Sequence, residues 1–437
     1  MNEYIAYCGL DCEACEAHLA TVNNDNELRI KVAEEWSKLN GVEITTEMIN
    51  CSGCRIPGVK TVYCDSLCPI RQCAREKQVE TCGSCPEMKS CEKVGAITGN
   101  NPDARVRLEN AGTMILYTER LILRPWDEKD AESLYEYAKD SRVGPIAGWP
   151  IHTSVKNSKE IINTVLSVPE TYAVCLKENE GAIGSIGLMI GDKSNIGLPD
   201  TEGEIGYWIG VPYWGRGLIP EAAREIIRHA FVDLHLETLW CGYFEGNDKS
   251  RRVQEKCGFI YHHTNRDIHW KLMNDIRTEH ITRLTGDEWK NSFIIRRLSS
   301  DERPAALNLA WRVFSEYESP DYSAEGTEEF RKCLHDEKYL SGLQYYGAFD
   351  GRKLIGEIAI RACKKHICFF FVDGGYHRLG IGTRMFRSLL EDFPNEKITL
   401  NSSPFGVAFY KAIGFVPTDE EKTVNGIRFT PMEFEDN

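Results

Sequence analysis

One order of elements is written twice in this chain, and that repetition constrains the fold more than any other feature. The first copy opens with the strand RLILRP (120–125) and the amphipathic helix of DEKDAESLYEYAKD, with Asp127 at its N-cap. TYAVCLK, AIGSIGLMI and EIGYWIGV follow as three strands in a row. YWGRGLIPEA (213–222) then leads a helix running to about Leu234, and the strand TLWCGYF, a short helix and GFIYHH complete the copy. Near Phe293 the order begins again: the strand FIIRRLS, the helix RPAALNLAWRVFSEY, and the strands YYGAFD, KLIGEIAIRA and HICFFFV. A second glycine-bearing stretch, YHRLGIGTRMF (376–386), then leads a helix, the strand KITLNSS, the short helix AFYKAI and GFVPT. A repeat this long is a tandem α/β architecture rather than a short-period solenoid.

The 437 residues accommodate about three domains at roughly 150 residues each. With 66 acidic and 52 basic residues the formal net charge is −14, and no long basic run offsets it. That balance argues against nucleic acid or an anionic membrane as partner. MNEYIAYCGL lacks a basic region followed by an apolar stretch, and no apolar run nears the roughly 20 residues that span a bilayer, so a cytoplasmic protein is expected. Residues 99–113, with Gly, Asn and Pro and no clear apolar period, read as a linker, and the second pattern starts at Met114.

In both glycine-bearing stretches a strand passes through a tight turn into a helix. Such a crossing aims backbone N–H groups that have no partner inside the helix at one point, where the helix dipole adds partial positive charge. A diphosphate fits there, and glycine permits the close approach and the φ angles required. In the first copy Pro220 suits a helix start. In the second, Arg378 can add charge-assisted contacts to phosphate. Neither stretch continues as Gly-Lys-Ser/Thr, and neither has the three-glycine spacing of a dinucleotide site.

HRLGIG (377–382) resembles the acetyl-CoA loop of the GNAT N-acetyltransferase superfamily, Gln/Arg-x-x-Gly-x-Gly/Ala, with His377 at the Gln/Arg position. FYKAIGF (409–415) resembles the Tyr-x-x-x-Gly-Phe close of that superfamily. The middle segment resembles the branch of ribosomal-protein N-terminal acetyltransferases through TERLILRP (118–125), EIGYWI (204–209), YWGRGLIPEA and NDKSRRVQEKCGF (247–259). The resemblance implies two GNAT-like domains, at 114–277 and 293–437, each a mixed, mostly antiparallel sheet flanked by helices. It also implies an acyltransferase that passes the acetyl group of acetyl-CoA to an amine acceptor, a peptide N-terminus or a small molecule, by direct attack with both substrates bound.

The implied cosubstrate contacts are Trp214, Gly215, Arg216, Gly217, Leu218, Ile219 and Asn247 in the middle copy. In the last copy they are His377, Arg378, Leu379, Gly380, Ile381 and Gly382. Ile219 stands where the general motif has a small residue. In the last copy Tyr410 is the implied acid for the departing thiolate, and a phenol near pKa 10 suits a thiol leaving group. The base there is open between His366 and Glu357, and Asp373 shapes the turn. In the middle copy Glu204 is the implied base, Gln254 takes the tyrosine position, and Ser250 is either a partner of the thiol or a helix N-cap. A second reading keeps the cosubstrate and drops the chemistry: a sensor or regulatory protein that binds acetyl-CoA, with a metal- or redox-responsive N-terminal module and one or both GNAT modules inactive.

Eleven of the 17 cysteines lie in the first 91 residues, as Cys8-x3-Cys12-x2-Cys15, Cys51-x2-Cys54, Cys64-x3-Cys68-x4-Cys73 and Cys82-x2-Cys85-x5-Cys91. In a cytosolic chain such spacing points to metal more than to disulfides: zinc held by four thiolates, or an iron–sulfur cluster. YCGLDCEAC, INCSGC, IRQCAREK and CGSC resemble a cysteine-rich family of unknown function, and residues 1–98 are expected to form that metal-binding domain. AEEWSKLNGVEIT (33–45) reads as a helix and turn between the clusters, and His18 lies close enough to be a ligand but reads first as an exposed side chain.

Overall fold

Asp25 accepts the N–H of Leu28 at 3.0 Å and so starts the first long helix, Asn26–Asn40, which Gly41 closes at φ +67°. The computed structural model describes residues 4–85, 87–109 and 115–435. Its cysteine-rich front has two small cores, one around Ala17, Val32 and Ile49, the other around Ile70, Ala74, Val94 and Leu108. The stretch expected as a linker is helical over Pro102–Glu109. Asn101 accepts the N–H of Ala104 at 2.9 Å and Pro102 takes the first turn, so Asn-Pro opens a helix here rather than a loop. This helix buries Leu108 and belongs to the front unit. Residues 110–114, including the Met114 start of the second pattern, lie outside the described residues.

The middle sheet pairs Leu116–Tyr117, Leu121–Pro125, Thr171–Leu176, Asn179–Ile190 and Glu202–Ile209 in antiparallel succession. Glu202–Ile209 then runs parallel to Thr238–Phe244, which pairs antiparallel with Asp275–Thr285, and Ile260–Trp270 forms the far edge. The return strand Asp275–Thr285 makes a long hairpin with GFIYHH, and it runs past residue 277 to the capping box of Thr285 and Glu288.

The last sheet repeats the plan. Ile294–Arg297, Gln344–Asp350, Lys353–Arg361 and His366–Val372 are antiparallel in succession. His366–Val372 is parallel to Ile398–Ser402, which pairs antiparallel with Ile427–Phe434. These are two mixed, mostly antiparallel sheets flanked by helices, as expected. No helix among the described residues is long and apolar enough to cross a membrane.

The one parallel pairing in each sheet is short. It covers Glu202↔Thr238 to Glu204↔Trp240 in the middle module and His366↔Thr399 and Ile367↔Leu400 in the last. Beyond those pairs the two strands part, which opens a wedge inside an otherwise continuous sheet. The paired strand then crosses into the glycine loop and its helix, Leu218–Arg228 or Ile381–Asp392. Each helix buries one apolar face against its sheet through Ala222, Ala223, Ile226 and Ile227, or through Met385, Phe386 and Leu389.

The two modules share a continuous core. Trp289, on the connecting helix Gly286–Asn291, is 2% exposed, with ring centroids 5.4 Å from Phe231, 5.0 Å from Phe293 and 6.1 Å from Tyr376. Arg384 donates to the carbonyls of Lys290 at 2.7 Å and Phe293 at 2.8 Å. Arg228, at the far end of the middle loop helix, pairs with Glu225 at 2.7 Å. Lys353 reaches Glu225 at 4.0 Å and Asp373 at 3.6 Å. Burial still holds the Glu225 carboxyl above its usual range despite these cations, so the ion pairs fix register while the aromatic core carries the stability.

Candidate functional site

Both loops have one backbone design. Gly215 and Gly217 sit at φ +76° and +74°, Arg378 and Gly380 at +62° and +76°: two left-handed residues separated by one ordinary residue. The backbone N–H groups of Gly215 to Ile219 and of Arg378 to Thr383 find no acceptor among the described residues. A Cβ at Gly215 or Gly380 would meet nothing within 4 Å, and at Gly217 only Arg120 Nη2 at 3.8 Å, so the space above each loop is open. Consecutive unpartnered donors at the head of a helix form a cradle for an anion the size of a pyrophosphate.

The side chains of the loop residues divide between ligand-facing and structural positions. Leu218, Ile219 and Ile381 are buried, so only their backbone can face a ligand, and the larger side chain of Ile219 points into the core rather than across the cradle. Trp214 donates its indole N–H to the Ile209 carbonyl at 2.9 Å and carries Lys249 Nζ 3.3 Å above its ring. Arg120 braces the loop, donating to the Arg216 carbonyl at 3.1 Å and pairing with Glu221 at 2.6 Å. His377 ties its Nε2 to the Val372 carbonyl at 2.8 Å and lies beside Tyr317 and Phe405. Gly382 is a packing glycine: a Cβ there would fall 2.8 Å from the Phe409 ring.

In the middle module the wedge holds a cavity of about 140 Å³ that brings together Glu204, Asn247 and Ser250. Glu204 is buried and bound through both oxygens by Asn195, Oε2 to its backbone N–H at 2.7 Å and Oε1 to Nδ2 at 3.3 Å. Burial raises its carboxyl all the same. Asn247, not Ser250, caps the helix Asp248–Lys256, accepting the Ser250 N–H at 3.2 Å. That leaves the Ser250 hydroxyl free to meet Tyr207 Oη at 3.0 Å and to accept Gln254 Nε2 at 3.2 Å. Gln254 is a buried brace between Gly242, Ser250 and Thr282. Two residues of this cavity escaped the reading of the sequence: Tyr207, three positions beyond Glu204 in EIGYWI, and Glu279, on the return strand.

In the last module Tyr410 packs among Phe370, Phe409 and Phe415. Burial, and then the charges of Glu318 and Glu357, hold its phenol above the ordinary value, so it stays protonated at neutral pH. Glu357 is 1% exposed and neither carboxylate oxygen has a hydrogen bond, and burial holds its carboxyl well above the usual range. His366 stands at the closed, paired end of the wedge with its Nδ1 2.9 Å from Thr399 Oγ1. Asp373 accepts the Gly375 N–H at 3.1 Å and does shape the turn. Glu318, just past the helix Arg303–Tyr317, is the carboxyl the sequence did not announce: burial pushes it up to about 7.

The eleven front cysteines gather without converging. Cys73, Cys82, Cys85 and Cys91 line an open cavity of about 270 Å³, while Cys12, Cys15, Cys51 and Cys54 lie near one another. All are free thiols. Burial pushes Cys12 and Cys82 up to about 12 and Cys64 to about 11. Among the described residues no three His, Cys, Asp or Glu side chains converge closely enough to hold an ion. As arranged, the thiols do not fit the zinc or iron–sulfur cluster that their spacing led us to expect, and no step is assigned to either. His18 is buried, not exposed, with Nδ1 3.0 Å from the Cys51 carbonyl.

Comparison with known proteins follows the same three-part division. Residues 120–260 and 318–435 each match the family described as "Acetyltransferase (GNAT) domain", and residues 4–96 match a "Protein of unknown function (DUF3795)". "Uncharacterized N-acetyltransferase p20" of Bacillus licheniformis is 31% identical over 129 residues, 28% of this chain and 70% of that protein. "Putative ribosomal N-acetyltransferase YdaF" of Bacillus subtilis (strain 168) is 31% identical over 149 residues, 32% of this chain and 79% of that protein. "Uncharacterized N-acetyltransferase YoaA" of the same organism is 27% identical over 157 residues, 33% of this chain and 82% of that protein.

Proposed function

Because the chain belongs to the GNAT acetyltransferase family and is an acyltransferase, we propose that each of its two modules binds acetyl-CoA and that the middle module acetylates an amine. The observation that carries this reading is the pair of cradles, each opening onto a parted parallel strand pair. The unpartnered N–H groups from Gly215 and from Arg378 would take the pyrophosphate. The unpaired strand edges would take the pantetheine arm as an added strand, with the thioester carried down into the wedge. There the amine attacks directly, and the hydroxyl pair of Tyr207 and Ser250 stands ready to protonate the thiolate. A peptide N-terminus is the acceptor favoured by the name of the Bacillus subtilis relative.

Titration of the full chain with acetyl-CoA in a calorimeter tests this reading. Two sites per chain are expected, with thiol release when amines are added; a folded chain that takes up no acetyl-CoA sinks it. For the last module a binding role without chemistry has an observation of its own. Ile367, the last residue of its short parallel pairing, stands where the middle module has Glu204, the last of its own. Tyr410→Phe separates the two. If this module transfers acetyl groups, its turnover falls at least tenfold with acetyl-CoA affinity unchanged. An unchanged turnover number removes Tyr410 from the acid role.

A further inference from the structure

The middle cavity has a charge character of its own. Two carboxyls line it, Glu204 and Glu279, with the aromatic side chains of Tyr243, Phe244 and Trp270 around them, and no lysine, arginine or histidine among the lining residues. The two carboxyls are bound differently. Both oxygens of Glu204 are engaged by Asn195. Glu279 reaches the cavity from the return strand, opposite Phe244 in the ladder. Its carboxylate lies over Gly242, where a Cβ would fall 2.6 Å from Oε1, so the glycine makes room for it. Gly242 lies past Trp240, on the stretch of its strand that has parted from Glu202–Ile209, so the Glu279 carboxyl hangs over the open wedge.

We propose that Glu279, rather than Glu204, takes the proton from the ammonium group of the acceptor in the middle module. The proposal rests on the reading that this module transfers acetyl groups. Two carboxyls beside the Tyr243 and Trp270 rings form a receptor for a small cation, while the Phe244 face already carries Arg277 at 4.6 Å. The ammonium gives one proton to Glu279 and becomes an amine. The amine nitrogen then bonds to the thioester carbon and the C–S bond breaks. The second N–H proton goes to the departing thiolate by way of the Ser250 and Tyr207 hydroxyls, and Glu279 returns its proton to solvent.

The titration of Glu279 fits that task. Burial, and then the charge of Glu204, push it up to about 7, where a base is both available and strong enough at neutral pH. Glu204, whose charge acts on it, is itself held above its usual range by burial, and His280, next along the strand, packs its ring 4.9 Å from Tyr243 with Nδ1 2.8 Å from Thr264 Oγ1. Tyr207 on Glu202–Ile209 and Cys241 on Thr238–Phe244 are held well above their ordinary values by burial, and Tyr243 is raised as well. Arg277, two residues along its own strand, is committed to Asp275 at 2.8 Å and to the Pro145 carbonyl at 2.9 Å. Asn265, its neighbour on the edge strand, is neutral.

The test uses the full chain carrying Gly380→Glu, so that only the middle module turns over. Thiol release is followed from pH 5.5 to 8.5 with X-Ala-Gly tripeptides bearing free α-amino groups, X covering the twenty residues. We expect kcat to rise about tenfold per pH unit below about 7 and to level off above it. Glu279→Gln should remove that limb and lower kcat about a hundredfold, with acetyl-CoA affinity within twofold of the parent. Glu204→Gln should keep the limb and move it to lower pH, because the neighbouring charge is gone. A limb and rate that survive Glu279→Gln overturn the proposal while leaving acetyl transfer intact, as does a limb lost in Glu204→Gln instead. A parent that binds acetyl-CoA but releases no thiol with any tripeptide overturns the peptide-acceptor reading and the proposal together.

Discussion

Gly217→Glu is expected to abolish acetyl-CoA binding by the middle module and Gly380→Glu to abolish it by the last, each leaving the other site intact. Both glycines hold φ near +75°, where a side chain costs about 1–3 kcal/mol of backbone strain. The cradle donors depend on that conformation. Space within the protein is not the obstacle, since the ideal Cβ meets nothing at Gly380 and only Arg120 Nη2 at Gly217. The new side chain would instead occupy the volume proposed for the pyrophosphate and bring negative charge to a phosphate seat. Calorimetric stoichiometry should fall from two to one in either variant, with the lost site weakened at least a hundredfold. Two sites of parental affinity in both variants would refute the loop assignment.

Trp289→Ala is the second large effect, and it falls on stability. The side chain is almost fully enclosed and bridges Phe231 of the middle module to Phe293 and Tyr376 of the last. Removing a buried aromatic of this size costs about 3–5 kcal/mol through lost transfer energy and an unfilled cavity. Denaturant unfolding should show the midpoint falling for the signals of both modules together, because the cavity opens in a core they share. A loss below about 1 kcal/mol, or a shift confined to one module, would show that the modules do not share that core energetically.

The legible parts of this molecule were those written in local chemistry. Gly215, Gly217 and Gly380 declare a left-handed turn at the head of a helix, and the order of strands around them declares the sheet. Glu279 could not be read that way. It lies on a strand far along the chain, and only the antiparallel return beside Thr238–Phe244 swings it over Gly242. Glu318 is equally silent, since nothing in its neighbours distinguishes it from a helix-end carboxylate. The front cysteines are legible only in part: close spacing along the chain brings thiols near one another, but convergence on one point depends on backbone directions that spacing does not encode, and no such convergence occurs among the described residues. Asn101-Pro102 is ambiguous in itself, because the same pair can open a turn or cap a helix. Ser250 lost the capping role to Asn247, which lies three residues earlier and has the geometry to accept its N–H.

The turn Gly374–Tyr376 that feeds the last cradle rests on the far end of the helix whose near end forms the first cradle. Tyr376 is buried there under Lys353, and Arg228 lies against Gly375. The two modules are therefore not interchangeable cassettes. A gene fragment encoding either one alone would produce a chain with an aromatic face turned to water, and the last module alone would also have a loop missing its floor. Swapping in a relative's module would fail unless the residues around Trp289 and Tyr376 travelled with it.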